Sequence, residues 1–578
     1  MKLGRILSGA LAAVFAAAML PVNAALAEGQ YGTWTEAGDA AQENVDYIVD
    51  ANGNYTVMTA LGLAKIANIV NGSGGTADDL EGKSVTLANE IDLSAAGVIG
   101  YPENVTMENS WIPIGSGGRF SGTFDGDGYS IENICFNAEN GDLGLFDNNV
   151  GTIKNVEVGS GEIRLTVDSA DSSSYYVGAI SASNNGTIQD CINRADISIQ
   201  VEYNPNTLTN NINIYTGGIT GSNVPSISTV QTASVSECVN YGDLSCVGED
   251  SSCLTSVDIG GICGQHNGGS VSGRTALIDS CSNNGSVRIE TVRTAHGGGI
   301  AGYTSVGSQQ AVISKSENHG QIINEGSIYS NIGGIIGSCA ASRHLDIIDC
   351  FNTANVSGSQ YTGGIIGATL SSSANIYNCF NIGEVSDIGR TGGILGYRRY
   401  PDNTISNCYY LNICSAGGIN GADITGQAEA KAEAQFVSGE IAYLLNGSSS
   451  DGVWKQTIGT DEYPNFAGLT VYYDSASNSY SNEQPQQQPE YSNTVLRKVM
   501  AEETTDGSTA TAVLSEIKPN GNSIRSITWT YGEADGSYTT EGETTISGTG
   551  SVYFGVIVPA LLTADENAET NEITVTIE

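Results

Sequence analysis

The stretch TGGIIGATLSSSANIYNCFNIGEVSDIGRTGGILGY, from Thr362 to Tyr397, returns at its end almost to its beginning. Alignment on the glycine pair gives further copies that begin at Gly217, Gly260, Gly298, Gly333 and Gly392, with a weaker copy, GAISA, at Gly178. Successive copies start 29 to 43 residues apart. Self-similarity at this period predicts a solenoid, in which each repeat packs only on its neighbours.

Four apolar rows recur in every copy, and the residues between them are mostly Ser, Asn, Thr, Asp and Gly. The first row follows the glycine pair: Ile219, Ile262, Ile300, Ile335, Ile365 and Ile394. The second precedes a cysteine by three residues: Ile188, Val235, Ile278, Ile313, Ile347, Ile376 and Ile405. The third is the cysteine itself, with Ser316 replacing it once: Cys191, Cys238, Cys281, Cys350, Cys379 and Cys408. The fourth lies six residues further on: Ile197, Leu244, Val287, Ile322, Val356 and Val385.

These rows favour strands over helices, because the repeats are rich in Gly, Asn, Ser and β-branched residues. A turn of about 30 residues accommodates three short strands and three bends, so we predict an all-β fold, a right-handed parallel β-helix (β-solenoid). Equivalent residues then stack into ladders, including an asparagine ladder at Asn193, Asn240, Asn283, Asn318, Asn352 and Asn381. The step of three between the second and third rows predicts a bulge or corner there, since strand faces alternate with period two.

The runs TGGIIG and NCFNIGEVS resemble the GLUG repeat, which occurs in surface and secreted proteins of Gram-positive gut and mucosal bacteria. The resemblance covers about residues 47–473 and includes the preceding run from Val85 to Val156. It implies a β-helix in a cell-surface or secreted setting, as in the region ahead of the catalytic part of immunoglobulin-A-cleaving zinc metallopeptidases. The copies depart from the pattern at Ala179, Ala182, Ser316 and Tyr410.

The N-terminus predicts export. Lys2 and Arg5 precede the apolar run from Ile6 to Leu20, and Ala25-Leu26-Ala27 fits a signal peptidase site. The chain carries a formal charge of −41 with only 22 Lys and Arg residues, which argues against nucleic acid and anionic membrane surfaces as partners. We therefore expect an extracellular protein without membrane insertion of the mature chain.

Twelve cysteines in an exported protein ordinarily suggest disulfides. The six ladder cysteines are predicted to stay reduced, because they face a dry core and adjacent turns hold their Cβ vectors parallel. Cys246 and Cys253 lie outside the ladder and are the best candidates for a bridge, although the sequence leaves this open.

The chain divides into six segments by composition. Residues 1–27 are the predicted signal peptide, 28–177 an N-terminal cap and leader turns, 178–425 the repeats, 426–473 a C-terminal cap, 474–492 a Ser, Gln and Pro-rich linker, and 493–578 a small β-sandwich-like domain. A helix with Thr59 as its cap closes the N-terminal end, and a helix through Val437 and Leu444 that stops at Asn446 begins the C-terminal cap.

No catalytic constellation is present. His266, His296, His319 and His344 occur singly without a His-Glu-x-x-His motif, and there is no acidic calcium loop of defined spacing, so we predict no catalytic, cofactor-binding or metal-binding residues.

Carboxylates are the best catalytic candidates in a β-helix. Asp125 and Asp127 could point the same way, but their Asp-Gly steps favour a tight turn. Asp190, Glu237 and Asp349 form a row that we interpret as a solvated face.

One further row lies directly after the cysteines and ends in Phe351, Phe380 and Tyr409. It is either an exposed aromatic strip for sugar or protein binding or a stack covered by the C-terminal cap.

These patterns favour a non-catalytic, adhesin-like secreted or surface protein, whose partner is a host or bacterial glycan or protein. The alternative is a carbohydrate-active β-helix enzyme, either a polysaccharide lyase or a glycosidase.

Overall fold

The repeats wind into a parallel β-helix, as a computed structural model of the chain shows. The structure describes residues 29–484 except 74, 140, 169–172, 203–211, 226–230, 251–254, 270, 305–308, 341–343, 371–373 and 476, together with eight strands between 495 and 577. The predicted signal peptide lies outside the described residues, as do residues 485–492 of the predicted linker.

Each full turn contains five short strands, and equivalent strands stack into five sheets, which we number 1 to 5 in the order in which the chain visits them. Sheet 1 contains Tyr47–Val49, Tyr55–Val57, Ser84–Leu87, Thr123–Asp125, Thr152–Lys154, Thr187–Gln189, Thr232–Ser236, Thr275–Asp279, Gln310–Ser314, Leu345–Ile348, Ala374–Tyr377 and Thr404–Ser406. Sheet 2 contains Ile91–Asp92, Ser130–Glu132, Glu157–Val158, Ile192–Asn193, Val239–Asn240, Ser282–Asn283, Glu317–Asn318, Phe351–Asn352, Phe380–Asn381, Cys408–Leu411 and Ala428–Lys431.

Sheet 3 contains Ile134–Ala138, Gly161–Asp168, Asp196–Glu202, Leu244–Gly248, Val287–Glu290, Ile322–Glu325, Val356–Gly358 and Val385–Asp387. Sheet 4 contains Ser174–Gly178, Ile212–Gly217, Thr255–Gly260, Thr294–Gly298, Tyr329–Gly333, Tyr361–Gly363 and Arg390–Gly392. Sheet 5 contains Phe146–Asn149, Ser181–Asn184, Thr220–Asn223, Cys263–His266, Ala301–Thr304, Ile336–Cys339, Ile366–Thr369 and Leu395–Arg398. Pairing between turns is parallel; the first two strands of sheet 1 pair antiparallel.

The expectation of three strands per turn is wrong because corners interrupt the chain more often. Between sheets 1 and 2, the residue before each ladder cysteine or its serine replacement has left-handed backbone, with φ between +45° and +56°: Asp190, Glu237, Ser280, Lys315, Asp349, Asn378 and Asn407. This turn lets Ile347 and Cys350, three residues apart, both lie fully buried. The corner predicted from the step of three is thereby confirmed.

All four predicted apolar rows lie inside, with exposures of 0–7%. The asparagine ladder is also confirmed, since each amide nitrogen donates to the next asparagine Oδ1 at 2.7–2.8 Å. The glycine pairs make room for this ladder across a narrow core: a Cβ on Gly261 would lie 2.1 Å from the Asn283 side chain, and one on Gly299 would lie 2.2 Å from that of Asn318. The glycine pairs therefore pack directly against the asparagine side chains of the ladder.

Helices close the N-terminal end of the array. Helix α1 spans Trp34–Ala40, α2 spans Ala60–Asn71, and a 3-10 helix spans Leu93–Ala96. The predicted cap of α2 is confirmed, because Thr59 Oγ1 accepts from the N–H of Gly62 at 3.3 Å. Leu63 and Ile66 of α2 are fully buried in the same core as the repeats.

The C-terminal cap begins with two helices where one was predicted. Helix α3 spans Glu433–Val437 and α4 spans Glu440–Leu445, because Gly439 between them adopts φ +89°. After an irregular segment, Tyr472–Asp474 pairs with Ser479–Ser481 as a hairpin. This hairpin occupies part of the predicted linker, and the first compact unit of the chain extends to Glu483.

The second unit, from Gln484, contains two sheets, which accords with the predicted all-β class. One sheet contains Val495–Glu503, Ala510–Lys518 and Val552–Phe554; the other contains Ser526–Gly532, Thr539–Thr540, Gly542–Ser547, Ala560–Asn567 and Glu572–Ile577. Pairing is antiparallel except between Ser526–Gly532 and Glu572–Ile577.

Among the described residues, no helix has the length and apolar character needed to cross a membrane.

Candidate binding face

Asp125 and Asp127 form a turn, as the sequence favoured. Asp127 has left-handed backbone, φ +49°, and its N–H donates to Asp125 Oδ1 at 3.0 Å. Asp125 also accepts from the Asn155 amide at 3.0 Å and lies 3.0 Å from Lys154 Nζ. These contacts outweigh partial burial and lower the pKa of Asp125, so this carboxylate is an ionised structural anchor rather than a proton donor.

The acidic row divides into two kinds of residue. Asp190 and Glu237 are exposed, as predicted. Asp349 is not part of a solvated face, because its Oδ1 accepts from Trp454 Nε1 at 3.2 Å and from the Asn378 amide at 3.1 Å. Burial raises the pKa of Asp349 despite these bonds. Asp349 therefore connects the C-terminal cap to the array through its hydrogen bond with Trp454.

The aromatic strip after the cysteines is not a binding surface. Phe351 and Phe380 stack with ring centroids 4.9 Å apart and are buried, with exposures of 1% and 0%. Trp454 and Phe436 of the C-terminal cap lie against them. The second interpretation in the sequence analysis, a stack covered by the cap, is confirmed.

The ladder cysteines are free and buried, as predicted. Cys246 is also free and fully buried, between Ile199 and Ile289 of sheet 3, and its predicted partner Cys253 lies outside the described residues. Burial raises the pKa of Cys246 to about 12, which makes it an unreactive core thiol.

A different surface carries half-exposed aromatic side chains. In sheet 4 the position two residues before each glycine pair is half-buried where it is a tyrosine and exposed at Arg390. It is buried at Asp258, His296 and Asn331, with exposures of 4–9%. Register aligns these residues across seven turns: Tyr176, Tyr215, Asp258, His296, Asn331, Tyr361 and Arg390. Sheet 5 contributes a parallel row five positions after each glycine start: Ser183, Ser222, Gln265, Tyr303, Ser338, Ala368 and Tyr397. We call the two rows together the tyrosine face.

Rings stack both within one row and between the two rows. Tyr176 and Tyr215 stack with centroids 4.9 Å apart, and Tyr361 stacks on Tyr397 at 4.3 Å. The guanidinium of Arg390 lies 4.9 Å from the centre of the Tyr397 ring. The tyrosines are half-buried, so part of each side chain remains accessible at the surface. An aromatic surface of this kind extends along the axis of the array.

A buried acid–base pair lies at the middle of the tyrosine face. His296 Nδ1 and Asp258 Oδ1 are 2.7 Å apart, and the His296 ring stacks on Tyr303 at 4.3 Å. Burial raises the pKa of Asp258, although His296 opposes this. Burial and the Asp258 charge raise the pKa of Tyr215 to about 12, which keeps its hydroxyl protonated. The Tyr215 hydroxyl therefore remains able both to donate and to accept a hydrogen bond.

Close packing of sheets 4 and 5 depends on glycine. A Cβ on Gly264 would lie 2.4 Å from the backbone nitrogen of Thr216, and one on Gly302 would lie 2.5 Å from that of Ile259. Only glycine permits this approach, which brings the outward rows of the two sheets into contact. The same repeat glycines that identify the fold thus build the tyrosine face.

Two carboxylates stand at the N-terminal end of the face. Tyr176 N–H donates to Asp142 Oδ1 at 3.0 Å, and both Asp142 and Asp147 line a cavity of about 390 Å³ with Trp111 and Phe136. Burial, together with the charge of Asp142, raises the pKa of Asp147 from 3.8 to about 7. A carboxyl group in this state donates and accepts protons near neutral pH.

Within the described ranges, no group of three or more His, Cys, Asp and Glu residues is placed to hold a metal ion.

Comparison with protein-family models finds no match, and none of the curated proteins matches the chain. A crystal structure from Bacteroides ovatus, provisionally described as an immunoglobulin A1 protease, is similar over 72% of this chain and 93% of that chain, with 15% identity and a TM-score of 0.36. A likeness this distant carries no argument about function. The resemblance to GLUG repeats stays an interpretation of the sequence motifs.

Proposed function

We propose that the chain is an exported, non-catalytic binding protein and that the tyrosine face binds a glycan chain lying along the array. The observation that carries this proposal is that half-buried tyrosines recur along two rows in continuous register, at both ends of the sheet 4 row and at Tyr303 and Tyr397 of the sheet 5 row. Aromatic rings stack on the apolar faces of sugars, while hydroxyl and amide groups bond to sugar hydroxyls.

The dimensions suit a polymer. Seven turns at a spacing of about 4.8 Å give an aligned row about 29 Å long from Tyr176 to Arg390. Several weak contacts along such a row add to a useful affinity, because one chain engages them together. The formal charge of −41 favours a neutral glycan over an anionic one.

A second candidate function is glycoside hydrolysis at the N-terminal end of the face. The observation that favours it is the cavity lined by Asp142 and Asp147, because acid–base cleavage of a glycosidic bond uses two carboxyl groups and burial raises the pKa of both. This candidate corresponds to the carbohydrate-active enzyme of the sequence analysis, at residues that the sequence did not indicate.

Retention on immobilised glycans tests the proposal. The purified chain is passed over mucin glycans, xylan, chitin and polygalacturonan, and bound protein and released oligosaccharide are both measured. We expect retention on at least one neutral glycan, with a loss of tenfold or more in the triple variant Tyr215→Ala, Tyr303→Ala, Tyr397→Ala.

The matched control replaces three tyrosines that are 38–46% exposed elsewhere on the array: Tyr129, Tyr241 and Tyr400. Equal loss in both triple variants would contradict a specific face. Release of oligosaccharide that disappears in Asp147→Asn would replace the non-catalytic proposal with the hydrolase.

A further inference from the structure

A cavity of about 560 Å³ lies between sheet 2 and the C-terminal cap, and it shares no residue with the tyrosine face. Its array side is formed by Glu317, His319 and Phe351. Its cap side is formed by the segment 460–467, which contributes Asp461, Glu462, Tyr463, Asn465 and Phe466.

Aromatic rings form the wall of this cavity. The rings of Tyr463 and Phe466 lie 6.0 Å and 5.6 Å from that of Phe351, at interplanar angles of 53° and 57°. Phe351 is buried, whereas Tyr463 and Phe466 are half-buried and still present surface to the cavity. The accessible parts of Tyr463 and Phe466 give the cavity an aromatic wall, and the negative faces of aromatic rings attract cations.

Carboxylates supply the matching charge. Glu317, Asp461 and Glu462 line the cavity, and its lining contains neither lysine nor arginine. Asp461 Oδ2 accepts from the Thr457 N–H and the Asn465 amide, and Glu317 Oε1 lies 3.5 Å from His319 Nε2. The three acids act together on Tyr463, since burial and then Glu317, Glu462 and Asp461 raise its pKa.

We propose that this cavity binds an alkylammonium group, either a quaternary ammonium such as choline or the side-chain ammonium of a lysine. The half-buried rings of Tyr463 and Phe466 contact the cation, and Glu317 and Glu462 balance its charge. An anionic or neutral guest of the same size gains neither interaction.

Packing of the cap does not require this cavity. Phe380, Phe436 and Trp454 already form a closed cluster beside it, with Trp454 fully buried. The cavity lies on the opposite side of Phe351 towards the His319 turn, where the segment 460–467 overhangs the acidic edge of the array. Tyr463 and Phe466 pack against this cluster, with Phe466 4.8 Å from the Trp454 ring, and both remain half-buried at the cavity.

Isothermal titration of the full chain with choline and with its neutral isostere 3,3-dimethylbutan-1-ol tests the proposal. A third titration uses Nα-acetyl-lysine amide, whose side-chain ammonium is free. It distinguishes a peptide lysine from a small quaternary ammonium as the source of the cation. We expect at least one cation to bind tenfold or more tightly than the isostere.

Glu317→Gln keeps the shape of the cavity and removes one charge, so it should weaken cation binding about fivefold, whereas Glu103→Gln on the exposed N-terminal region should leave it unchanged. Phe466→Ala should abolish binding, with thermal unfolding recorded to show that the cap remains folded. Equal affinity for choline and its isostere, or failure of both cations to bind wild-type protein, would overturn the proposal. Because the tyrosine face is intact in these variants, glycan retention is measured beside them and is expected not to change.

Discussion

Asn318→Asp is a nearly isosteric change that tests the asparagine ladder at its centre. Asn318 Nδ2 donates to Gly320 O at 2.9 Å and to Asn352 Oδ1 at 2.7 Å, while its Oδ1 accepts from Asn283 at 2.8 Å. In the aspartate variant an oxygen replaces Nδ2 and faces two acceptors. Asn318 is fully buried, so no water is placed to compensate.

The expected loss follows from these contacts. Two buried acceptors lose their donors at about 1–3 kcal/mol each, which gives about 2–6 kcal/mol before the cost of a buried charge is added. Protonation restores one donor, so burial should raise the pKa of the new carboxyl and the loss should be smaller at pH 4 than at pH 7. Since each turn of a solenoid is stabilised by its neighbours, the damage should be local.

Hydrogen–deuterium exchange by mass spectrometry measures this loss turn by turn. In Asn318→Asp, the backbone amides of strands Gln310–Ser314 and Ile322–Glu325 should exchange at least thirtyfold faster than in wild-type protein at pH 7. The amides of the distant strand Ser84–Leu87 should keep their wild-type protection. Asn284→Asp is the control, because Asn284 is exposed and its amide contacts only Ser282 Oγ at 3.2 Å. Equal protection in the two variants at pH 7 would refute the view that the ladder stabilises the core.

Three other predictions test separate features. The six ladder cysteines should not react with a thiol reagent in native protein but should all react after denaturation without a reductant, and non-reducing mass spectrometry that finds them paired would contradict this. Asp147→Asn should stabilise the protein by roughly 1–3 kcal/mol at pH 8 and not at pH 3.5, because the native pKa of about 7 disfavours the ionised form that the unfolded chain adopts above pH 3.8. Thermal unfolding against pH measures it, and equal stability of the variant and the wild-type protein at pH 8 would contradict it. Ile365→Glu should disrupt the turns around it, since Ile365 is fully buried and its loss alone removes about 1.5–3 kcal/mol; unchanged circular dichroism and melting would argue against the assignment.

The repeated rows made the β-helix predictable from the sequence. Ile, Cys and Asn recur at fixed offsets from one another in most turns, with exceptions such as Ser316, and each row occupies one ladder in the structure. The number of strands per turn was harder to predict, because strands of two residues, such as Phe351–Asn352, leave no alternation to recognise. The left-handed corner residues are equally indistinct, since Asp, Glu, Ser, Lys and Asn all occupy that position.

The fate of the aromatic strip could not be predicted from local pattern. Whether Phe351 and Phe380 are exposed depends on Trp454, which meets Asp349 across 105 residues of chain. The sequence of the repeat gives no indication of how a distant cap packs against it. The helix break at Gly439 is a similar case, because a single glycine within an amphipathic segment is compatible with either one helix or two.

The tyrosine face, in contrast, was within reach of sequence reasoning. Both of its rows lie at constant offsets from the glycine pairs, two residues before and five residues after each start. The residue types within a row vary, from Tyr215 to Asp258 to His296, so neither row forms a recognisable sequence motif. The Asp142 and Asp147 cavity lies before the repeats, so the repeat pattern does not indicate it and it required the structure.

Tyrosine nitration with and without a retained glycan, read residue by residue by mass spectrometry, tests the central claim most directly. The proposed function predicts that the glycan protects Tyr215, Tyr361 and Tyr397 together, since they belong to one aligned face. Tyr129 and Tyr241, exposed on other parts of the array at 38% and 46%, should be nitrated equally in both samples. Protection of Tyr129 and Tyr241 with continued nitration of the tyrosine face would contradict the account.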